Sequence, residues 1–326
     1  MNIKEEMVQY RKRFDNIYND NKKTLEVVKN ECPILYDAID YSIEAGGKRL
    51  RPFLLYEIYK SFTKDKVDTT YIEKFELALE MIHTFSLIHD DLPQIDNSQT
   101  RRGKESTWKK YGEDTALLSG DALIFCALNL IDIGHTHLLQ NYKDSVREEF
   151  ILNMNEKYLA CKETFSSYAG IYGLVLGEAR DTLFYDENLT RENLDYTYEM
   201  KTGALFSIAF KVGSIIAGAD KYICDKMGQI GLTFGKVFQI QDDILDASST
   251  EEKIGKPIGI DVINKKITYV TLFGIEESKK IVENEYNNII NDLTQIEEET
   301  KSFEYDTKAN FEKLKEIISF LIHREN

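Results

Sequence analysis

GALFSIAFKVGSIIAG, residues 203–218, is apolar or small on nearly every face. Wound as a helix, such a segment has no polar side to turn to water, so it suits a helix surrounded by other helices in an all-α fold. The flanking sequence agrees. Val282, Tyr286, Ile289, Leu293 and Ile296 recur at helical spacing, as do Phe311, Leu314, Ile318 and Leu321, which is the pattern of amphipathic outer helices. The whole proline set is Pro33, Pro52, Pro93 and Pro257, so little interrupts helix formation, and strand signals are missing. The polar stretch EEETKSFEYDTK, residues 297–308, reads as a loop between helices. No linker rich in Gly, Ser or Pro divides the chain and no repeat is evident, so one helical domain over residues 1–326 is expected.

With 42% hydrophobic and 30% charged residues, the chain has the balance of a soluble globular protein. No run approaches the ~18 uncharged apolar residues of a spanning helix. The opening MNIKEEMVQYRKRF is charged and lacks the apolar core of a secretory signal, so a cytoplasmic location and no stable membrane anchor are expected. Cys32, Cys126, Cys161 and Cys224 are far apart and have no metal-ligand spacing, which reads as four ordinary buried thiols. A formal net charge of -15 opposes nonspecific binding to nucleic acid or anionic lipid. Basic residues still cluster, with Lys48, Arg49 and Arg51 in one place and Arg101, Arg102 and Lys104 in another. Each cluster is either a solvated face or a site for a small anion.

Acidic motifs favour the anion site. In IHDDLPQID, Asp90 and Asp91 end an apolar helix, read as Ile72 to Ile88, and Pro93 weakens its continuation and lets Asp96 return toward them. Aspartates at a helix C-terminus oppose the macrodipole, an arrangement that a cation relieves. In FQIQDDILD, Asp242 and Asp246 stand four apart on one helical face with Asp243 beside them and apolar residues around. Oxygen-only clusters of this kind suit hard divalent cations such as Mg²⁺, which keep waters and substrate phosphates as further ligands. Basic groups supply the complement: GGKRLRP at 46–52, RRGK at 101–104, KTG at 201–203, GKPIG at 255–259 and KITY at 266–269. Arg offers a planar fork to phosphate oxygens, Lys a point charge, and Gly close backbone approach.

This set, in this order from about Gly46 to about Tyr269, resembles the trans-prenyl diphosphate synthases, which include farnesyl and geranylgeranyl diphosphate synthases. The resemblance implies an antiparallel helical bundle around a deep cavity, assembled as a homodimer. It also implies that isopentenyl diphosphate meets Lys48, Arg51, His83 and Arg102, with Gly47 giving backbone access. His83 lies seven residues before Asp90 and so on the same helical face. The resemblance places the second substrate, an allylic diphosphate (dimethylallyl or geranyl), against Arg101, Lys201, Lys256 and Lys266. Mg²⁺, three ions per site with Mn²⁺ a substitute, is implied on Asp90, Asp96 and Asp242, with Asp91, Asp243 and Asp246 as ligands or supporters. The implied reaction is ionisation, condensation and elimination. Thr202 and Gln239 match positions that offer oxygen dipoles to a carbocation, beside the catalytic cations Lys201 and Lys266. Phe85, followed by small Ser86, stands where an aromatic accompanies a fifteen-carbon product, so farnesyl diphosphate is expected and geranylgeranyl diphosphate is the alternative. Three departures stand out: RRGKEST with Trp108 where RRGKPT and His are usual, Glu178 in GEARD where Gln is common, and Ser98 with Gln99 where acidic residues are common. A noncatalytic synthase subunit would show a broken aspartate motif. A terpene cyclase would have no need of GGKRLRP, and a helical scaffold would need neither motif.

Overall fold

The computed structural model describes residues 2–63, 69–141, 148–183, 190–254, 267–300 and 307–324. They cluster into two compact units, Met1–Tyr56 with Asp68–Lys162, and Glu57–Val67 with Glu163–Asn326.

In the first unit α1 (Ile3–Asn21) begins in a capping box, with the Asn2 side chain accepting from the Glu5 N–H at 2.9 Å. After α2 (Glu26–Glu31), α3 (Pro33–Glu44) starts with proline in its first turn, where the missing N–H costs nothing. Then follow α4 (Leu50–Phe62, through Tyr56 in this unit), α5 (Thr69–Asp90), a small hairpin, α6 (Thr107–Tyr111), α7 (Glu113–Asn141) and α8 (Glu148–Ala169, through Lys162). Buried and part-buried polar contacts clamp α5. Tyr10 donates to Glu76 at 2.6 Å, Arg13 pairs with Glu73 at 3.1 Å, and Arg49 pairs with Glu80 at 2.7 Å. Burial pushes the Glu76 carboxyl up to about 7, against the pull of Arg13.

The second unit holds α9 (Leu174–Leu183), α10 (Arg191–Tyr198), a π-helical turn at Glu199–Gly203, α11 (Ala204–Ala217), α12 (Lys221–Ile254), α13 (Tyr269–Phe273), α14 (Ile275–Glu299) and α15 (Thr307–Ile322). Every residue of α11 but Lys211 is buried, which is the surrounded helix that 203–218 predicts. Its neighbour is α12, and the two backbones nearly touch: a Cβ on Gly235 would fall 2.4 Å from the Gly203 Cα. The aromatic rings of Phe206, Phe210, Phe234 and Phe238 fill the rest of this crossing.

Four expectations are corrected. A two-stranded antiparallel hairpin, β1 (Thr100–Arg101) with β2 (Lys104–Glu105), is present although no strand signal marks it; Gly103 at φ +76 makes the turn. The polar stretch 297–308 is helical at both ends, through Glu299, where Thr300 Oγ1 donates to the Ile296 carbonyl at 2.7 Å, and again from Thr307, while the loop reading of 301–306 lies outside the described residues. Cys161 and Cys224 are buried, but Cys126 is half-buried and Cys32 is exposed, since it sits in the break between α2 and α3. Finally, Glu113–Gln140 and Arg191–Ala217 are long and apolar enough to cross a membrane. The latter is 83% buried and is therefore core, whereas α7 shows Leu118 and Phe125 to the outside.

Candidate active site

In the first unit α5 stops at Asp90 and the chain turns back. The Asp96 N–H donates to the Asp90 carbonyl at 2.9 Å and the Ser98 N–H to the Asp91 carbonyl at 3.1 Å, so Asp96 does return toward Asp90. The three carboxylates have different surroundings. Asp91 is buried and accepts from Arg101 Nε at 3.0 Å; burial pushes it above the usual carboxylate range while Arg101 opposes the rise. Asp90 is half-buried and Asp96 exposed. Trp108, a departure from the usual histidine, has a clear role here: its indole N–H donates to the Ser98 carbonyl at 2.9 Å and ties down this acidic loop.

Arg101 and Arg102 are adjacent and diverge. Arg101 grips Asp91, while the Arg102 guanidinium donates to the Gly46 carbonyl and lies against Gly47, where an added Cβ would come within 2.6 Å of Arg102 Cζ. Gly47 therefore has two reasons to be glycine, this approach and its φ of +123. Arg51 Nη1 lies 3.1 Å from His83 Nε2, and because guanidinium only donates, the imidazole accepts there. Burial first, and then Arg51, Arg102, Arg49 and Arg101, hold His83 well below its usual range and so neutral. Lys48 is exposed beside them. Of the basic triplet, Arg49 alone turns inward, to Glu80. Phe85 and Ser86 are buried further back on α5; the Phe85 ring meets His89 edge-on at 5.7 Å, and Ser86 Oγ donates to the His83 carbonyl at 3.0 Å.

In the second unit the π-helical turn carries Lys201 and Thr202. Thr202 Oγ1 donates to Gln239 Oε1 at 3.0 Å, Gln239 Nε2 to Asp243 Oδ1 at 3.1 Å, and Tyr198 OH to Asp243 Oδ2 at 2.6 Å. Asp243 is thereby buried and spoken for, while Asp242 is 44% exposed and Asp246 is exposed. The Arg324 guanidinium pairs with Asp242 and stacks 3.7 Å over the Phe238 ring. Lys201 Nζ stands 2.6 Å from both Glu178 and Asp181; burial pulls its pKa down, but the two carboxylates outweigh that and hold it charged. Lys256 and Lys266 lie outside the described residues.

The exposed members of each acidic group are oxygen donors, fit for a hard cation. Among the described residues no three acidic, imidazole or thiol side chains converge tightly enough to hold an ion alone. The fit is thus to Mg²⁺ that keeps waters and phosphate oxygens.

A family profile described as polyprenyl synthetase matches residues 32–305. The chain belongs to the polyprenyl synthetase family. It is 39% identical over 274 residues to a farnesyl diphosphate synthase of Geobacillus stearothermophilus, covering 82% of this chain and 86% of that one. A geranylgeranyl diphosphate synthase of Cyanophora paradoxa is 36% identical over 296 residues, with 90% and 88% covered. Among solved structures, a geranyltransferase from Helicobacter pylori complexed with magnesium and isoprenyl diphosphate superimposes with a TM-score of 0.72 at 28% identity, over 95% of this chain and 98% of that one.

Within this polyprenyl synthetase, the structure adds Asp181, Tyr198 and Arg324 to the residues singled out in the sequence. Asp181 was visible in GEARD, three residues from Glu178. Nothing in the sequence signals Tyr198, which meets Asp243 over 45 positions, or Arg324, which meets Asp242 over 82.

Proposed function

We propose that this polyprenyl synthetase condenses isopentenyl diphosphate with dimethylallyl or geranyl diphosphate, releases diphosphate, and makes farnesyl diphosphate as its main product. The observation that carries the reading is the divergence of Arg101 and Arg102: one hairpin sets an acidic loop beside a glycine-backed cradle of Arg51, Arg102 and neutral His83. An anion seated there meets guanidinium forks and the exposed point charge of Lys48. The similarity to farnesyl diphosphate synthases, at 36–39% identity, supports the product.

Mg²⁺, proposed as three ions with Mn²⁺ able to replace them, would be held by Asp90 and Asp96 and by Asp242 and Asp246, and would supply positive charge to the leaving diphosphate. Arg101 and Lys201, with Lys256 and Lys266, add fixed cations for the same charge. The allylic C–O bond breaks, the double bond of isopentenyl diphosphate forms the new C–C bond, and a proton leaves to the released diphosphate. Thr202 spends its proton on Gln239, so its oxygen lone pairs remain as the dipole that steadies the allylic cation. No serine, cysteine or histidine is assigned as a nucleophile. Purified protein incubated with isopentenyl diphosphate and each allylic starter should yield a fifteen-carbon diphosphate only when Mg²⁺ or Mn²⁺ is present. No product, or undiminished product in excess chelator, sinks the reading.

The cradle makes a separate prediction. Gly47→Ala should raise KM for isopentenyl diphosphate by about tenfold or more, since the new methyl displaces Arg102 and strains a left-handed backbone, and it should change KM for geranyl diphosphate little. Steady-state kinetics with each substrate varied decides it; a rise confined to the allylic substrate reverses the assignment of the two sites.

We also infer a homodimer in the cytoplasm. None of the four cysteines is in a disulfide, which suits a reducing compartment. Leu118 and Phe125 on α7, and Leu152 and Leu159 on α8, each seven apart on one helical face, stay exposed, with Phe125 at 70%. A second copy is the occupant of this surface. Light scattering should give twice the chain mass, and Phe125→Asp should halve it. A monomeric wild-type protein, or one that binds neutral lipid vesicles through this face, overturns the dimer.

A further inference from the structure

Lys236 on α12 is a lysine only 8% exposed in side chain, with three carboxylates around it: Glu285 at 3.1 Å, Glu199 at 3.3 Å and Asp195 at 3.9 Å. Arg191 lies near the same group, 3.6 Å from Asp195. Burial alone pulls the ammonium's pKa down; Glu285, Asp195 and Glu199 more than reverse it. No step described above uses this lysine.

Its place in the helix register is what matters. Lys236, Gln239 and Asp243 lie three and four residues apart and share one face of α12. Each is held from the strand of helix that enters and forms the π turn: Glu199 on Lys236, Thr202 on Gln239, Tyr198 on Asp243. A π turn inserts one residue into the α-helical repeat, and each inserted residue rotates everything after it by about 100° around the axis. Such a turn is less favourable than regular helix and persists where surroundings hold it. Two of the three holds involve groups assigned above to the chemistry or to its acidic cluster. The third, Lys236 to Glu199, is purely protein to protein, at the first residue of the turn.

We propose that Lys236 is a positioning residue for prenyl transfer: by holding Glu199 it keeps the π turn in register on α12, and so aims Lys201 and Thr202. This rests on the function proposed above. Because Lys236 also binds Glu285 on α14, a merely structural role makes the opposite forecast, since Glu285 is the shorter contact and its loss should matter at least as much.

The test compares Glu199→Gln with Glu285→Gln in the full-length protein, two neutral variants of similar volume that each leave Lys236 with other carboxylates. Glu199→Gln should lower kcat by about 10- to 100-fold, the scale of a roughly 1 Å misplacement, with KM for both substrates within about threefold. Glu285→Gln should leave kcat within about twofold, whatever it does to the thermal midpoint. Amide hydrogen exchange without substrate gives a readout that needs no activity: residues 199–203 should exchange faster in Glu199→Gln and not in Glu285→Gln. Wild-type kcat in Glu199→Gln, equal kcat losses in both variants, or equal exchange in both overturns the positioning role. A wild-type protein that makes no prenyl product, with exchange still unequal between the two variants, would remove the proposed function and leave the register clamp standing.

Discussion

Alanine at Asp90 or at Asp242 is expected to lower kcat by about 10³-fold or more, with the helical circular dichroism spectrum unchanged. A thousandfold corresponds to about 4 kcal/mol of transition-state stabilisation, within the several kcal/mol that a metal ion contributes to developing charge. The expectation is specific to these positions. Asp242 is 44% exposed and Asp90 half-buried, so truncating either removes a proposed ligand with little loss of packing, and Arg324, released by Asp242→Ala, keeps its bonds to the Leu321 and Phe238 carbonyls. Their neighbours should behave differently. Asp91 is the buried partner of Arg101, and Asp243 accepts from both Tyr198 and Gln239. Asp243→Ala strands the buried Tyr198 hydroxyl, at roughly 1–3 kcal/mol for an unsatisfied group, and Asp91→Ala empties a buried site beside the part-buried Arg101, so both should also lower the thermal midpoint. Steady-state kinetics with parallel thermal unfolding separates the two classes. Near-normal turnover in Asp242→Ala would remove it from the ligand set and leave its pairing with Arg324 as its role.

That division inside each motif is what the sequence could not show. The aspartate spacing, the helix ending at Asp90 and the shared face of Asp242 and Asp246 are local matters, set by helical period and by Pro93, and they are legible over ten residues. Which aspartate turns inward depends on what packs against it. Arg101 reaches Asp91 from a hairpin whose strands are two residues long, too short for any periodic signal. Tyr198 reaches Asp243 and Arg324 reaches Asp242 across 45 and 82 positions, distances over which composition carries no pairing rule. The same holds for the fold. Residues 203–218 announce a surrounded helix, yet the π turn just before it cannot be read from EMKTG, because the turn is held by contacts to Lys236, Gln239 and Asp243 on another helix. Of the departures, Trp108 is explained by its bond to the Ser98 carbonyl. Glu178 is explained by Lys201, which it charges together with Asp181; a glutamine there would keep the contact and halve the compensating charge.

Phe85→Ala is expected to change the product itself, from fifteen carbons to twenty or more, with turnover of geranyl diphosphate largely preserved. Phe85 precedes Asp90 by five residues on α5, about 7.5 Å along the helix and about 1.4 turns, so it stands below the place where the allylic diphosphate would be held. Its ring is buried, edge-on to His89 one turn later, and His89 in turn fits over Gly120 of α7, where an added Cβ would fall 2.1 Å from the imidazole. The ring is therefore backed by the tightly packed His89–Gly120 contact. Ser86 beside it is small and turns its hydroxyl back to the His83 carbonyl, so it cannot replace the ring as a barrier. The competing account is that Phe85 is ordinary core. The two accounts differ in a measurable way. Core truncation of Phe to Ala costs about 3–5 kcal/mol, because a cavity is left that the structure cannot fill. A ring that closes a substrate cavity has a prenyl chain to take its place, so its loss should cost less stability and the bound product analogue should recover part of it. Chromatography of the products and thermal unfolding with and without a prenyl diphosphate therefore decide together. Longer products with a ligand-rescued midpoint make Phe85 the floor; a fall of several degrees with farnesyl diphosphate still the product makes it core and moves the chain-length determinant elsewhere on α5.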